Sequence, residues 1–164
     1  MKDCHAGTMP YKTSPAFRPG ILLLAGLLTG TLDILAACLQ YYIQTGKGPG
    51  NVLRFIASGI WGADAFRGGN SMALRGLLLH FLIAFVFSAL FLLFVLRLSI
   101  VRKNIYTAGI LYGVFTWTVM NRLVLPLSAA PPLAFDPARA GLAILILVSC
   151  IGLPLAWISD KYYL

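Results

Sequence analysis

Four polar side chains fall within or at the edges of long apolar runs: Asp33 in TGTLDILAACLQYY, His80 in LLLHF, and the pair Asn121–Arg122 in TVMNRLVL. An acid and an imidazole in apolar surroundings are the residue types that exchange protons or hold a polar solute. Asn and Arg add hydrogen-bond donors, and a long Arg stem lets its head reach well away from its own backbone. The four form a candidate polar cluster. Asp64 and Arg67, in the connection before the second run, are secondary candidates at the membrane interface. Ser71 and Ser88 lie near these residues in no nucleophile motif. Nothing matches a phosphate-binding loop, a dinucleotide glycine set or HExxH. Neither a cofactor nor a metal is expected. Cys4, Cys38 and Cys150 are far apart with no CxxC spacing, and the Cys4–His5 pair lacks the further ligands a metal site needs.

The elements that must position these groups follow from composition. The chain has 164 residues, 59% hydrophobic and 11% charged, with no glutamate, and a mean hydropathy of +0.84. A soluble domain carries about 25% charged residues, so too little polar surface is present to cover an aqueous fold. The net charge of +8 comes from Lys and Arg scattered between apolar runs, without a basic stripe. That pattern suits anionic headgroups, and no nucleic-acid partner is expected.

Four runs are long enough to span a bilayer, which takes about 20 helical residues: Gly20–Ile43, Gly76–Leu96, Ile105–Leu125 and Gly141–Ile158. The expected fold is an all-α integral membrane protein, with four transmembrane helices in a compact bundle. Residues 1–19 form a tail before it and 159–164 a tail after it. Between the first two spans, NVLRFIASGIWGADAF is too short and too polar for a fifth span, and predicts an interfacial or re-entrant helix over 51–66. Asp136–Pro137 is a strong start for the last helix. Pro154 predicts a kink or an early end within it. An even number of spans places both termini on one side. The short loop RLSIVRKN brings three positive charges close to the membrane, which favours the cytoplasm for that side.

In the first span Gly26, Gly30, Asp33 and Ala37 repeat at four, three and four residues and share a face. The GxxxG spacing permits a close helix contact beside the acid. Counted at 1.5 Å per residue, Asp33 lies about 15 Å and His80 about 6 to 12 Å below the outer surface. Pairing of Asp33 with His80 or Arg122 would lock the helices; the same cluster would otherwise bind a polar solute or relay protons. Gly109, Gly113 and Thr116 predict a second tight contact, inside the bundle or between subunits. LAAC at Leu35–Cys38 has the spelling of a lipoprotein cleavage site. However, the acid interrupts the run before it and LQYYI continues it, so a retained span is expected.

The segments GLLTGTLDILAA, NVLRFIASGIWGADAFRGG, LLLHF and LYGVFTWTVMNRLVLPLS resemble a family of uncharacterised bacterial four-helix inner-membrane proteins, with YagU-like proteins as more distant relatives. The resemblance covers Gly20 to Trp157 and implies the four-span fold in a bacterial inner membrane. It brings no established activity. Relatives carry a further histidine ahead of a GLP like Gly152–Leu153–Pro154, where this chain reads LILVSC; a shared site using that histidine would be incomplete here. Three functional readings follow. The leading one is a structural or accessory membrane protein, surrounded by membrane lipids and acting as a homo-oligomer or in a membrane complex. The alternatives are a transporter or channel-like protein using Asp33–His80, and an enzyme acting on lipid at the interface near Asp64, Arg67, His80 and Arg122.

Overall fold

The computed structural model describes residues 17–132 and 135–164, so the Cys4–His5 pair and most of the tail ahead of Gly20 lie outside the described residues. Four helices are long and apolar enough to cross a membrane: α1 (Pro19–Thr45), α3 (Gly69–Arg97), α4 (Ile105–Leu127) and α5 (Pro137–Tyr163). Between the first two lies α2 (Gly50–Trp61), followed by a 3-10 turn over Gly62–Phe66. The protein is an all-α, multi-pass membrane protein. Large apolar side chains stand exposed on every span, including Leu35, Leu82, Leu111 and Leu145; lipid, not water, suits that surface. The start of α1 and the end of α5 lie on one face, here the terminal face, where Arg18 N donates to the Tyr163 hydroxyl at 3.3 Å, and the longer connections lie on the loop face.

Proline opens α1 at its first position, where its missing N–H loses no helical bond. Gly46 closes it at φ 67°, donating its N–H to the Tyr42 carbonyl at 2.8 Å. Gly26 and Gly30 do form a close contact, and it is with α3. The Phe85 ring lies over Gly26, and Phe81 and Ala84 lie over Gly30. Beside them Thr29 donates to the Ala25 carbonyl at 2.8 Å, which leaves Ser88 as donor to Thr29 Oγ1 at 3.2 Å. The glycine pair therefore holds two helices of one chain together.

Helix α3, at 29 residues, is about 43 Å long, roughly 13 Å more than the hydrocarbon core. Its polar excess, Asn70–Arg75, projects beyond the apolar part. Helix α2 crosses α3 at Gly76, where the Leu53 carbonyl and the Ala57 backbone occupy the place of a side chain. Arg54 Nε donates to the Gly69 carbonyl at 3.3 Å, and Ala129 N to the Gly59 carbonyl at 3.0 Å. The crossing falls where α3 passes from polar to apolar sequence, which suits a helix lying in the interface. At the other end of α3, Arg102 Nη1 bonds the carbonyls of Val95 and Leu96 at 2.9 and 3.1 Å. One positive charge of RLSIVRKN thus caps a helix C-terminus.

Each of the last two spans contains a five-residue π-helical run, Met120–Val124 and Val148–Gly152. Each run ends two residues before a proline, Pro126 or Pro154. A proline ring clashes with the carbonyl four residues earlier and leaves it without a donor. Widening the turn to i→i+5 relieves both problems, so the last helix continues through Pro154 to Tyr163. Helices α4 and α5 meet backbone to backbone. A Cβ on Gly109 would stand 2.6 Å from the Gly152 carbonyl, and one on Gly113 2.6 Å from Val148 Cα.

The largest core cluster lies toward one side of the bundle, while Ala57, Ser58 and Ala73 are buried where α2 crosses α3. The core comprises Ile21 and Ala25 of α1, Phe87, Phe91, Leu92 and Val95 of α3, Ile105 and Tyr112 of α4, and Ile151 to Tyr163 of α5. All lie in the terminal half. Leu155, Ala156, Ile158 and Ser159 are fully buried, whereas Pro137–Leu147 of the same helix has no buried residue. Around the middle of the spans α3 and α4 leave an apolar groove walled by Leu82, Val86, Phe87, Phe115 and Val124. Tyr112 joins the two helices where they do meet, donating to the Phe87 carbonyl at 2.6 Å with its ring centroid 4.9 Å from that of Phe91. Tyr112→Phe removes the bond and keeps the ring. It is expected to lower stability by about 1 kcal/mol, measurable by SDS titration in mixed micelles.

Candidate functional site

Helical rise places the polar residues in two layers. Asp33 is twelve residues from the loop end of α1, His80 eleven from that of α3 and Cys150 thirteen from that of α5. At 1.5 Å per residue all three lie about 17 to 20 Å from the loop ends of their ~40 Å helices, with His80 about 6 Å beyond Gly76, where the apolar part of α3 begins. Gln40, Asn121 and Arg122 lie about 7 to 9 Å from the loop ends by the same count, and Arg139 about 3 Å. The expected cluster of Asp33, His80, Asn121 and Arg122 is thus divided between a midplane layer and a layer near the loop face.

In the midplane layer His80 Nε2 bonds the Gly30 carbonyl at 2.8 Å. A carbonyl only accepts, so Nε2 carries hydrogen and Nδ1 is the nitrogen left to exchange a proton. The Phe81 ring packs edge-on against the imidazole, with centroids 5.6 Å apart. Asp33 stands one turn beyond Gly30 on the same helix face, half-buried, within electrostatic reach of His80 and Cys150. Among the described residues its carboxylate forms no ion pair, since the ion pair present is Arg139–Asp136. The expected lock between Asp33 and His80 is instead a lock between His80 and the backbone of Gly30. Glycine at 30 lets α3 approach closely enough for that bond. Among the described residues no three His, Cys, Asp or Glu side chains converge as a metal site would require.

The upper layer lines a cavity of about 660 Å³ between the loop ends of α1, α4 and α5. Gln40, Asn121, Arg122 and Arg139 form its polar wall, with Trp117 and Ala143 among its apolar residues. Asn121 Nδ2 donates to the Trp117 carbonyl at 2.9 Å. The Arg122 guanidinium stands 5.6 Å from the Phe135 ring centroid, a distance at which the ring face attracts a cation. Asp136 accepts from Ala138 N and Arg139 N at 2.9 and 3.4 Å and pairs with Arg139 Nε at 3.2 Å. It is the cap of α5 that the Asp–Pro pair predicts. Arg122 does not reach Asp33; it belongs to the cavity wall.

Asp64 and Arg67 lie elsewhere, exposed in and after the 3-10 turn. They are joined through backbone, Arg67 N to the Asp64 carbonyl at 3.1 Å, and line neither layer. Three residues escape a reading by residue type alone. Gln40 lies seven residues after Asp33, on the same helix face, and that spacing is a signal for it. Cys150 looks like a packing thiol until the π-helical run places it at the level of Asp33. Arg139 is recognisable only through its pairing with Asp136.

No protein-family model, curated protein or solved structure matches this chain.

Proposed function

We propose that this chain is a transporter or channel-like membrane protein in which Asp33 and His80 bind a proton or a cationic group at the membrane midplane. One observation carries this reading. Asp33 is half-buried in the middle layer, one turn beyond the Gly30 carbonyl that His80 bonds, with no ion pair among the described residues. An acid at that depth destabilises insertion by about 2.5 to 3.5 kcal/mol, and a structural role would oppose that cost with a bonded partner. A neutral His80 beside Asp33 offers Nδ1 as a second site for the proton. The ligand would arrive from the loop face, past Gln40 and Asn121.

The accessory reading needs a docking face for a second chain. The small-residue stripe for which a contact between subunits was one expectation, Gly109–Gly113, is covered from within the bundle by Gly152 and Val148. The lipid-enzyme reading loses its cluster, because Asp64 and Arg67 stand apart from His80 and Arg122. Kinship with the bacterial four-helix inner-membrane proteins is likewise our proposal, with both termini in the cytoplasm as the RLSIVRKN charges favour. It supports the four-span arrangement and contributes no activity. Proton and cation flux in proteoliposomes, compared between wild type and Asp33→Asn, tests the reading; equal flux in the two would remove it.

A further inference from the structure

The cavity of the upper layer has a composition that the midplane site does not explain. Its polar residues gather near the loop face: Arg122, Arg139 and Gln40. Counted by helical rise, its deepest lining residue is Trp117, while the apolar Ala143 lies level with Asn121 and Leu125 nearer the loop face. Phe135, which lines the cavity, is exposed, as are Leu123 and Leu127 next in sequence to its lining residues. Two guanidinium groups near the loop face, with the Trp117 ring below them and the Phe135 ring beside them, fit an amphiphile with an anionic head.

The charge pattern specifies the head further. Arg139 is neutralised by Asp136, whose oxygens are already engaged at the start of α5. Arg122 meets no carboxylate among the described residues and is held only against Phe135. The Gln40 side chain likewise has no hydrogen-bond partner among the described residues. One guanidinium without a carboxylate, the paired Arg139 and Asp136, two primary amides and the Ser128 hydroxyl line the space. Guanidinium forks match the tetrahedral oxygens of a phosphate, and amide N–H groups add neutral donors. We infer that this cavity binds a phosphate-bearing group, with Arg122 as its principal contact and Gln40 and Asn121 as supporting donors. The depth of Arg122, close to the boundary of the hydrocarbon, favours the headgroup of a phospholipid as the source of that phosphate.

The inference is independent of the Asp33 reading and is tested separately. The purified protein in mild detergent would be titrated with phosphatidylglycerol and the bound lipid counted by native mass spectrometry. Arg122→Ala is expected to raise the dissociation constant about tenfold, the effect of losing one charge-assisted hydrogen bond. Gln40→Leu should weaken binding less. Arg75→Ala, whose guanidinium lies over Trp61 at 5.4 Å and outside the cavity, should leave binding unchanged, as should Asp33→Asn. A second arm adds glycerol phosphate. Lipid binding that resists this competitor identifies the headgroup as the ligand; displacement, or binding of glycerol phosphate alone that Arg122→Ala abolishes, assigns the site to a soluble phosphate ester. Thermal melting confirms that each variant is folded. Folded Arg122→Ala and Gln40→Leu proteins that hold phosphatidylglycerol as tightly as wild type would overturn the inference.

Discussion

Gly152→Ala is expected to force the third and fourth spans apart and to lower stability by about 3 kcal/mol, the upper end of the range for overpacking. The added methyl group would overlap the Gly109 carbonyl oxygen and lie 2.9 Å from its carbon. Those are backbone atoms of a helix, so no rotamer change relieves the clash. The contact also closes the floor of the bundle, because Ile151 and Leu155 beside it belong to the core. Gly141→Ala is the control: it lies in the same span, and a Cβ there meets nothing within 4 Å. Its stability should equal or slightly exceed wild type, since alanine favours helix over glycine by about 1 kcal/mol. SDS titration of both variants in mixed micelles measures the difference.

Asp33→Asn is expected to reduce proton or cation flux by at least tenfold while leaving the protein as stable as wild type or more stable by about 1 to 3 kcal/mol. The second half of that expectation separates function from structure. A carboxylate that has no ion-pair partner among the described residues costs insertion free energy within the membrane that an amide of the same shape largely avoids. Were Asp33 a structural lock, neutralising it would instead leave a partner unpaired and destabilise the bundle by about 3 to 5 kcal/mol. Flux in proteoliposomes and unfolding in mixed micelles, measured on one preparation, give opposite signs for the two roles.

Much of the fold is legible in the sequence because span length and apolar content are additive properties. Four runs of the right length have one economical arrangement in lipid, and Asp136–Pro137 marks a helix start through local chemistry alone. The π-helical runs are less legible. Pro154 signals a problem at Cys150, but whether the helix kinks, ends or widens depends on Gly109 and Gly113 packing across it. The same is true of GxxxG: the spacing around Gly26 predicts a close contact and says nothing of whose side chain makes it. Asp33 and His80 can be placed at similar depth by counting residues, yet their bonding depends on helix rotation, which one sequence does not encode. His80 turned toward the Gly30 carbonyl, and Arg122 toward Phe135, each by an angle set in tertiary packing.

The central claim is that water and solutes reach the midplane from the loop face and not from the terminal face. Cys150 lies at the level of Asp33, half-buried, in the turn where α5 passes from open to packed. In a variant with Cys4 and Cys38 replaced by alanine, a membrane-impermeant methanethiosulfonate would be applied to either side of oriented vesicles. The account predicts that Cys150 reacts with reagent added on the loop side and is protected from reagent added on the terminal side. Protection from both sides, or reaction from the terminal side, would contradict it.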